Sequence, residues 1–177
     1  AAAGGVGLIA GQWLNALGAK VIGTAGGADK CALAKANGYH HVIDYKSADF
    51  EAEVIKLTNG KGVDVTYDSV GNDTMARSLT STRRHGTIIA FGQSSGPYLD
   101  FKITDLAKGS FKLSRPTLFH FVAEREWLEA SAEKLFTAVT DGTLNISINQ
   151  KYALEDVAKA HDALTGRATT GSTILTV

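Results

Sequence analysis

The chain opens with Ala1-Ala2-Ala3-Gly4-Gly5-Val6-Gly7-Leu8-Ile9-Ala10, and this stretch decides the fold. Its glycines match a dinucleotide-binding loop in two overlapping registers, Gly5-x-Gly7-x-x-Ala10 and Ala2-x-Gly4-x-x-Gly7. In either register the backbone can approach a pyrophosphate, and the amides of the following helix point at it. An ordinary tight turn between a strand and a helix is the alternative. The pattern predicts four binding residues in the loop: Gly4, Gly5, Val6 and Gly7.

Hydrophobic periodicity extends this prediction along the chain. Apolar residues recur at helical spacing over Val6–Leu17, and Gly18 stands where a helix commonly ends. Further helices are predicted over 29–37, 47–58, 72–81, 123–139 and 154–164, with Ser47 as the N-cap of the second of these. Strands are predicted over 20–25, 40–45, 63–70, 87–91, 110–114, 144–148 and 172–177. Strands separated by single helices predict an α/β fold, a Rossmann-type doubly wound parallel sheet.

Composition excludes several classes of protein. The 177 residues carry 18 Lys plus Arg and 18 Asp plus Glu, and this zero net charge argues against a nucleic-acid or membrane-surface partner. No apolar run approaches the roughly 20 residues that span a bilayer. The single cysteine, Cys31, excludes an internal disulfide, and the five histidines show no zinc-like spacing to it, so no metal ligand is predicted. The chain is expected to be cytoplasmic.

The end of the strand predicted over 20–25 bears on the choice of cofactor. In dinucleotide-binding folds this position usually carries Asp or Glu, which accepts the ribose hydroxyls of NAD. Here the chain reads Gly23-Thr24-Ala25-Gly26-Gly27, with no acid before Asp29. A 2′-phosphate is repelled by an acid and attracted by a cation, and Lys30 and Tyr45 are the nearby candidates to contact it. The sequence therefore favours NADPH, with Thr24 among its contacts.

Four motifs carry a resemblance to a known family. They are Ala1–Gly7, Tyr67-Asp68-Ser69-Val70-Gly71, Phe91-Gly92-Gln93-Ser94-Ser95-Gly96 and Arg167-Ala168-Thr169-Thr170-Gly171. In this order they resemble the NADPH:quinone oxidoreductases, the zeta-crystallin-like, zinc-free branch of the medium-chain dehydrogenases/reductases. The resemblance runs over essentially the whole chain.

The resemblance implies roles for individual residues. Gly26, Lys30 and Tyr45 would surround the adenosine 2′-phosphate, and Arg167 would reach back to the cofactor from the C-terminal segment. Ser69 and Val70 would lie beside the adenosine end or the bridge of the dinucleotide. A third group would lie under the ribose and pyrophosphate on the nicotinamide side: Phe91, Gly92, Gln93 and Ser94. The family often has Asn where this chain has Gln93, which is one methylene longer.

The resemblance also implies an organisation into domains. Residues 1–118 would form a dinucleotide-binding domain that lacks its first strand. Residues 119–177 would return to a substrate domain that is missing here, so the chain is expected to be part of a longer protein. The strand near Phe111–Ser114 alternates apolar and polar residues and is expected to form a homodimer through its edge.

These features predict an enzyme that transfers hydride from NADPH to a quinone or a similar electron-poor carbonyl or enone. A dinucleotide-binding module without turnover is one alternative. A zinc-dependent alcohol dehydrogenase, with its metal ligands in the missing region, is another. No catalytic constellation is visible in the sequence, so the catalytic residues are unknown.

Overall fold

Parallel strand pairs make up every sheet of the computed structural model, which describes residues 1–177. The strands are β1 Ile22–Ala25, β2 His41–Asp44, β3 Val63–Asp68, β4 Thr82–Ala90, β5 Lys112–Ser114, β6 Ile148–Ala153 and β7 Ser172–Thr176. The helices are α1 Gly5–Ala16, α2 Ala28–Ala36, α3 Phe50–Leu57, α4 Met75–Thr80, α5 Leu118–Val122, α6 Arg125–Thr140 and α7 Val157–Thr165. Short 3-10 turns lie at Ile103–Lys108 and Leu154–Asp156. The predicted α/β class with parallel pairing is therefore confirmed.

The chain divides into two compact units. One consists of Ala1–Ala48 and Ala130–Val177, and the other of Asp49–Glu129. The first contains the pairs β1–β2 and β6–β7, and the second contains a three-stranded sheet in the order β3-β4-β5. The predicted division into residues 1–118 and 119–177 stays a prediction.

Tyr39 organises the packing of the first unit. Its side chain is buried, with Ala2, Val21 and Ala34 in the same apolar cluster. A β-carbon at Gly11 of α1 would overlap the Tyr39 ring, and one at Gly23 of β1 would lie 2.5 Å from it. The Tyr39 hydroxyl donates a hydrogen bond of 2.8 Å to the carbonyl oxygen of Gly7. The helix and the strand can therefore approach this ring closely only because both present glycine to it.

The core of the second unit forms where α4 covers the sheet. Met75 and Leu79 of the helix pack with Ile88 and Ala90 of β4. Partly buried side chains extend this cluster, namely Tyr98, Leu106, Phe111 and Leu113. Ile88 is completely buried, as expected for a central strand with parallel partners on both sides.

The structure corrects three local predictions. Asp49, and not Ser47, caps α3, because its carboxylate accepts hydrogen bonds from the amides of Glu51 and Ala52 at 2.9 and 3.3 Å. The strand predicted over 144–148 is absent, and β6 begins only at Ile148. The apolar side chain of Leu144 lies in the loop before β6 and is buried there, with 2% of its surface exposed. The buried face of α1 consists of Leu8 and Gly11, whereas Val6 and Leu17 of the predicted stripe are exposed.

No helix has both the length and the apolar character needed to cross a membrane.

We predict that Tyr39 makes the stability of the fold sensitive to alkaline pH. Burial raises the pKa of Tyr39 from 10.0 to about 12, so the folded chain holds the neutral phenol where the unfolded chain has ionised it. The stabilisation is complete below pH 10.0 and is lost as the pH rises to about 12, by up to about 2–3 kcal/mol. Urea unfolding at several pH values between 9 and 12 measures this slope.

Tyr39→Phe is the control for this prediction. It should cost about 1 kcal/mol at neutral pH, because it removes the hydrogen bond to Gly7. Above pH 10 its stability should fall less steeply than that of the wild type. Identical slopes for the two proteins would show that Tyr39 does not carry the effect.

Candidate functional site

The glycine loop leads directly into the N-terminus of α1, which begins at Gly5. Gly4 is the N-cap residue, no side chain caps the helix, and no acid lies in its first turn. The N-terminal ammonium of Ala1 and the amide of Ala2 each donate to the carbonyl oxygen of Thr24 at 3.0 Å, which ties the loop to β1. A 12-residue helix that starts in this way presents backbone N–H groups and a positive dipole end, an arrangement suited to an anion.

Gly7 has a different part in this loop. A β-carbon there would overlap the Ala1 carbonyl oxygen and lie 2.7 Å from that of Ala2. Gly7 therefore permits a close approach between α1 and the segment before it, which is the role of the third glycine in the pattern. This geometry favours the register Ala2-x-Gly4-x-x-Gly7 of the two that the sequence left open. A β-carbon at Gly4 would meet only Ala1, at an ordinary 3.5 Å.

A second feature lies at the carboxyl ends of β1 and β2, which pair in parallel from Ile22↔His41 to Ala25↔Asp44. Gly26 follows β1, and a β-carbon on it would lie 2.6 Å from the Tyr45 hydroxyl and 3.2 Å from Cε of Lys46. We call Gly26, Tyr45 and Lys46 the strand-end cradle. A side chain at position 26 would collide with the Tyr45 hydroxyl, so glycine here lets Tyr45 and Lys46 lie against the end of β1.

Asp44 fixes the backbone of the cradle. Its Oδ1 accepts hydrogen bonds of 3.0 Å from the amides of both Gly27 and Lys46. Gly27 has φ of +99°, a conformation that glycine adopts readily. The hydrogen bond from Gly27, followed by that from Lys46, lowers the pKa of the Asp44 carboxyl, so the group stays ionised at neutral pH.

Lys30 and Arg167 contact each other within the first unit. The Lys30 ammonium donates a hydrogen bond of 2.6 Å to the carbonyl oxygen of Arg167, a residue with φ of +57°. Lys30 thus holds the backbone from which the Arg167 side chain extends. The structure brings together Gly26 with Tyr45, and Lys30 with Arg167, as pairs within the first unit.

The remaining predicted residues belong to the second unit, where the loops after β3 and β4 pack on each other. The amide of Ser94 donates to the Ser69 carbonyl oxygen at 3.2 Å, and a β-carbon at Gly92 would lie 2.6 Å from the same atom. The amide and the hydroxyl of Ser95 both donate to the Val70 carbonyl oxygen at 2.8 Å. The Tyr67 and Phe91 rings meet edge to face, 6.4 Å apart. Gln93 lies beside Gly71 in this loop pair.

Asp68 anchors this loop pair and was missed by the sequence analysis, although it stands within a quoted motif. Its buried carboxylate accepts hydrogen bonds from the amides of Val70 and Gly71 at 2.8 and 2.9 Å. The hydroxyls of Thr74 and Ser78 donate to its other oxygen at 2.8 and 2.6 Å. Four donors satisfy the two buried carboxylate oxygens, so Asp68 shapes the turn.

Asp44 and Lys46 were also missed. The available signal was their position, because both flank Tyr45 where a parallel strand ends. No three His, Cys, Asp or Glu side chains among residues 1–177 come together as a group that could hold a metal ion.

The order of elements, the parallel pairing and the capless glycine loop define a dinucleotide-binding α/β protein of the Rossmann class. Residues 5–134 match the sequence profile of the family described as zinc-binding dehydrogenase. This match covers most of the chain, and the protein belongs to that family.

Individual relatives agree with this placement. The chain is 44% identical over 176 residues to the quinone oxidoreductase of Pseudomonas aeruginosa, covering 99% of this chain and 54% of that protein. It is 41% identical over 177 residues to a 2-haloacrylate reductase of a Burkholderia species, covering 99% and 53%. The solved Escherichia coli quinone oxidoreductase complexed with NADPH matches with a TM-score of 0.96 at 43% identity, covering 100% of this chain and 55% of that one.

These comparisons confirm the resemblance drawn from the four motifs. The chain spans about half the length of the curated relatives it matches.

We predict that Gly7→Ala destabilises the fold while Gly4→Ala is tolerated. The methyl group at position 7 would press on two carbonyl oxygens, and overpacking of this kind costs about 1–3 kcal/mol. The methyl group at position 4 meets no close neighbour, so its cost should stay below about 1 kcal/mol, the scale of an N-cap change. Thermal unfolding of the two variants makes the comparison. Equal losses of stability would contradict the assignment of Gly7 as the close-contact glycine.

Proposed function

We propose that the chain is the NADPH-binding part of an oxidoreductase that reduces a quinone or a similar electron-poor carbonyl or enone. The observation that carries this proposal is the strand-end cradle. Gly26 lets the Tyr45 hydroxyl and the Lys46 side chain lie against the end of β1, in the region where NAD-dependent folds place an acid. A hydroxyl and a cation in this place suit a 2′-phosphate, whereas an acid would repel it.

The residues of the first unit suit a dinucleotide in other respects. The backbone amides of Gly4, Gly5, Val6 and Gly7 would hold the pyrophosphate at the start of α1. Gly26, Lys30, Tyr45 and Arg167 would hold the 2′-phosphate, and Thr24 would lie beside the cofactor at the end of β1. Assignment of Ser69, Val70, Phe91, Gly92, Gln93 and Ser94 to the cofactor rests on the family resemblance and stays a prediction.

When bound, NADPH supplies the hydride, and the protein supplies binding, orientation and electrostatics. The names of two relatives support the class of acceptor. Quinones and haloacrylates both contain a double bond conjugated with an electron-withdrawing carbonyl or carboxyl group, which makes them hydride acceptors. The proposed substrate is therefore a small electron-poor molecule of this type.

The test is cofactor-dependent turnover of the whole protein with 1,4-benzoquinone. We expect NADPH oxidation with a kcat/KM well above that for NADH. Lys30→Ala should lower kcat/KM for NADPH by roughly 10- to 150-fold, which corresponds to the loss of about 1.5–3 kcal/mol, the scale of a hydrogen bond to a charged group. Its effect on NADH should be smaller. Tight NADPH binding without oxidation by quinones or enones would support a binding module, and equal use of both cofactors would contradict the NADPH preference.

We also propose a homodimer formed through β5. This strand lies at one edge of its sheet and pairs only with β4, so its other edge has backbone groups that can pair with a second copy. Lys112 and Ser114 are exposed, while Phe111 and Leu113 pack against the core. Light scattering at micromolar concentration should give the mass of a dimer, and a monomer would count against the proposal.

A further inference from the structure

Lys46 is a cation that no carboxylate neutralises directly. The ion pairs of the chain involve Lys56, Arg77, Arg83, Lys108, Arg125 and Lys159. Lys46 is not among them, and its side chain is exposed. Its Cε nevertheless lies 3.2 Å from the position of a β-carbon on Gly26, so its stem lies against that glycine and near the Tyr45 hydroxyl.

The backbone of Lys46 is held more firmly than that of an ordinary surface lysine. Its amide donates to Asp44 Oδ1 at 3.0 Å, and the same oxygen accepts the Gly27 amide. The two sides of the cradle are therefore joined through one carboxylate oxygen. This contact fixes the backbone of Lys46, whose Cε lies with the Tyr45 hydroxyl beside Gly26.

Lys30 is the other cation that could serve the same phosphate, and its position is different. One of its N–H groups is already used at 2.6 Å on the Arg167 carbonyl oxygen. Its charge partly serves to hold the C-terminal segment, whereas no hydrogen-bond acceptor contacts the Lys46 ammonium. Lys46 is thus the cation of the cradle that a ligand can engage fully.

Two acidic residues near the cradle would repel a bound phosphate, and a nearby cation can offset this repulsion. Asp44 bears a negative charge beside the strand-end cradle, and Asp29 lies in the first turn of α2. A 2′-phosphate carries a charge of about −1.5 to −2 near neutral pH, so these carboxylates oppose its binding. The Lys46 ammonium is close enough to Asp44 to interact with it electrostatically. It can therefore offset the repulsion at this point.

We propose that Lys46 is a specificity-determining residue that selects NADPH over NADH by pairing with the 2′-phosphate beside Tyr45. This inference rests on the proposed function, because it assigns a residue to the 2′-phosphate of the cofactor proposed there. It adds a charge contact at the residue that follows Tyr45 to the contact from Lys30 on α2, where the sequence analysis placed it.

The experiment compares dissociation constants of NADPH and NADH for the wild type and three variants. Lys46→Gln removes the charge and keeps most of the side-chain length. Lys46→Arg keeps the charge. Lys20→Gln is the matched control, since Lys20 is an exposed lysine that precedes the opposite end of β1 and forms no ion pair. Circular dichroism and thermal unfolding establish that each variant is folded.

We expect Lys46→Gln to weaken NADPH binding by about tenfold or more, the effect of losing one charged hydrogen bond, while NADH binding changes by less than about threefold. Lys46→Arg should retain the preference, and Lys20→Gln should match the wild type. If the wild type prefers NADPH and Lys46→Gln keeps that preference, the role of Lys46 is wrong while the proposed function stands. An equal loss in Lys20→Gln would also overturn it, because general surface charge would explain the effect.

A wild type that binds neither dinucleotide would overturn the proposed function, and the role of Lys46 with it. The pair 2′,5′-ADP and 5′-AMP provides a second probe that differs only in the 2′-phosphate. Lys46→Gln should reduce the difference in affinity between these two nucleotides and leave 5′-AMP binding nearly unchanged.

Discussion

The contact of the Tyr39 ring with two glycines is the constraint on which the candidate site depends. Gly11 of α1 and Gly23 of β1 both approach the ring more closely than any residue with a side chain could. The Tyr39 hydroxyl then binds the Gly7 carbonyl oxygen within the first two turns of the helix. Since this packing sets the distance between α1 and β1, it also places the helix N-terminus and the strand end, where the two parts of the candidate site lie.

Carboxylates at strand ends shape the loops in both units. Asp44 is the last residue of β2, and Asp68 is the last residue of β3. Each accepts backbone amides from residues that follow a strand, and Asp68 also accepts two hydroxyls. The two differ in exposure, because Asp68 is buried with four donors whereas Asp44 is only partly covered. The same chemistry therefore stabilises a closed turn in one unit and an open cradle in the other.

Much of the fold was predictable because its signals are local. Helical periodicity, glycines at helix ends and β-branched runs predicted α1, α2 and most of the parallel strands within a few residues. The prediction of a strand over 144–148 was wrong because apolar residues such as Leu144 can be buried without being in a strand. The contact of α1 with Tyr39 was not predicted because a glycine, Gly11, makes it, and periodicity counts only apolar side chains.

The candidate site was predictable only in part, for a similar reason. Gly26 and Tyr45 were predicted and lie together, since both follow directly from where parallel strands end. The contact of Lys30 with the Arg167 carbonyl, and the hydrogen bonds of Asp44 to Gly27 and Lys46, depend on tertiary contacts that a single sequence does not display. Asp68 stands in a quoted motif without an assigned role, and only the positions of its four donors reveal what it does.

We propose above that the strand-end cradle receives the 2′-phosphate of NADPH. A crystal structure of the protein with 2′,5′-ADP tests this most directly, because the ligand carries the distinguishing phosphate without the nicotinamide. We expect 2′-phosphate oxygens within hydrogen-bond distance of the Tyr45 hydroxyl and the Lys46 ammonium, with Gly26 beneath them. A 2′-phosphate pointing into solvent, or bound away from Gly26, Tyr45 and Lys46, would contradict it.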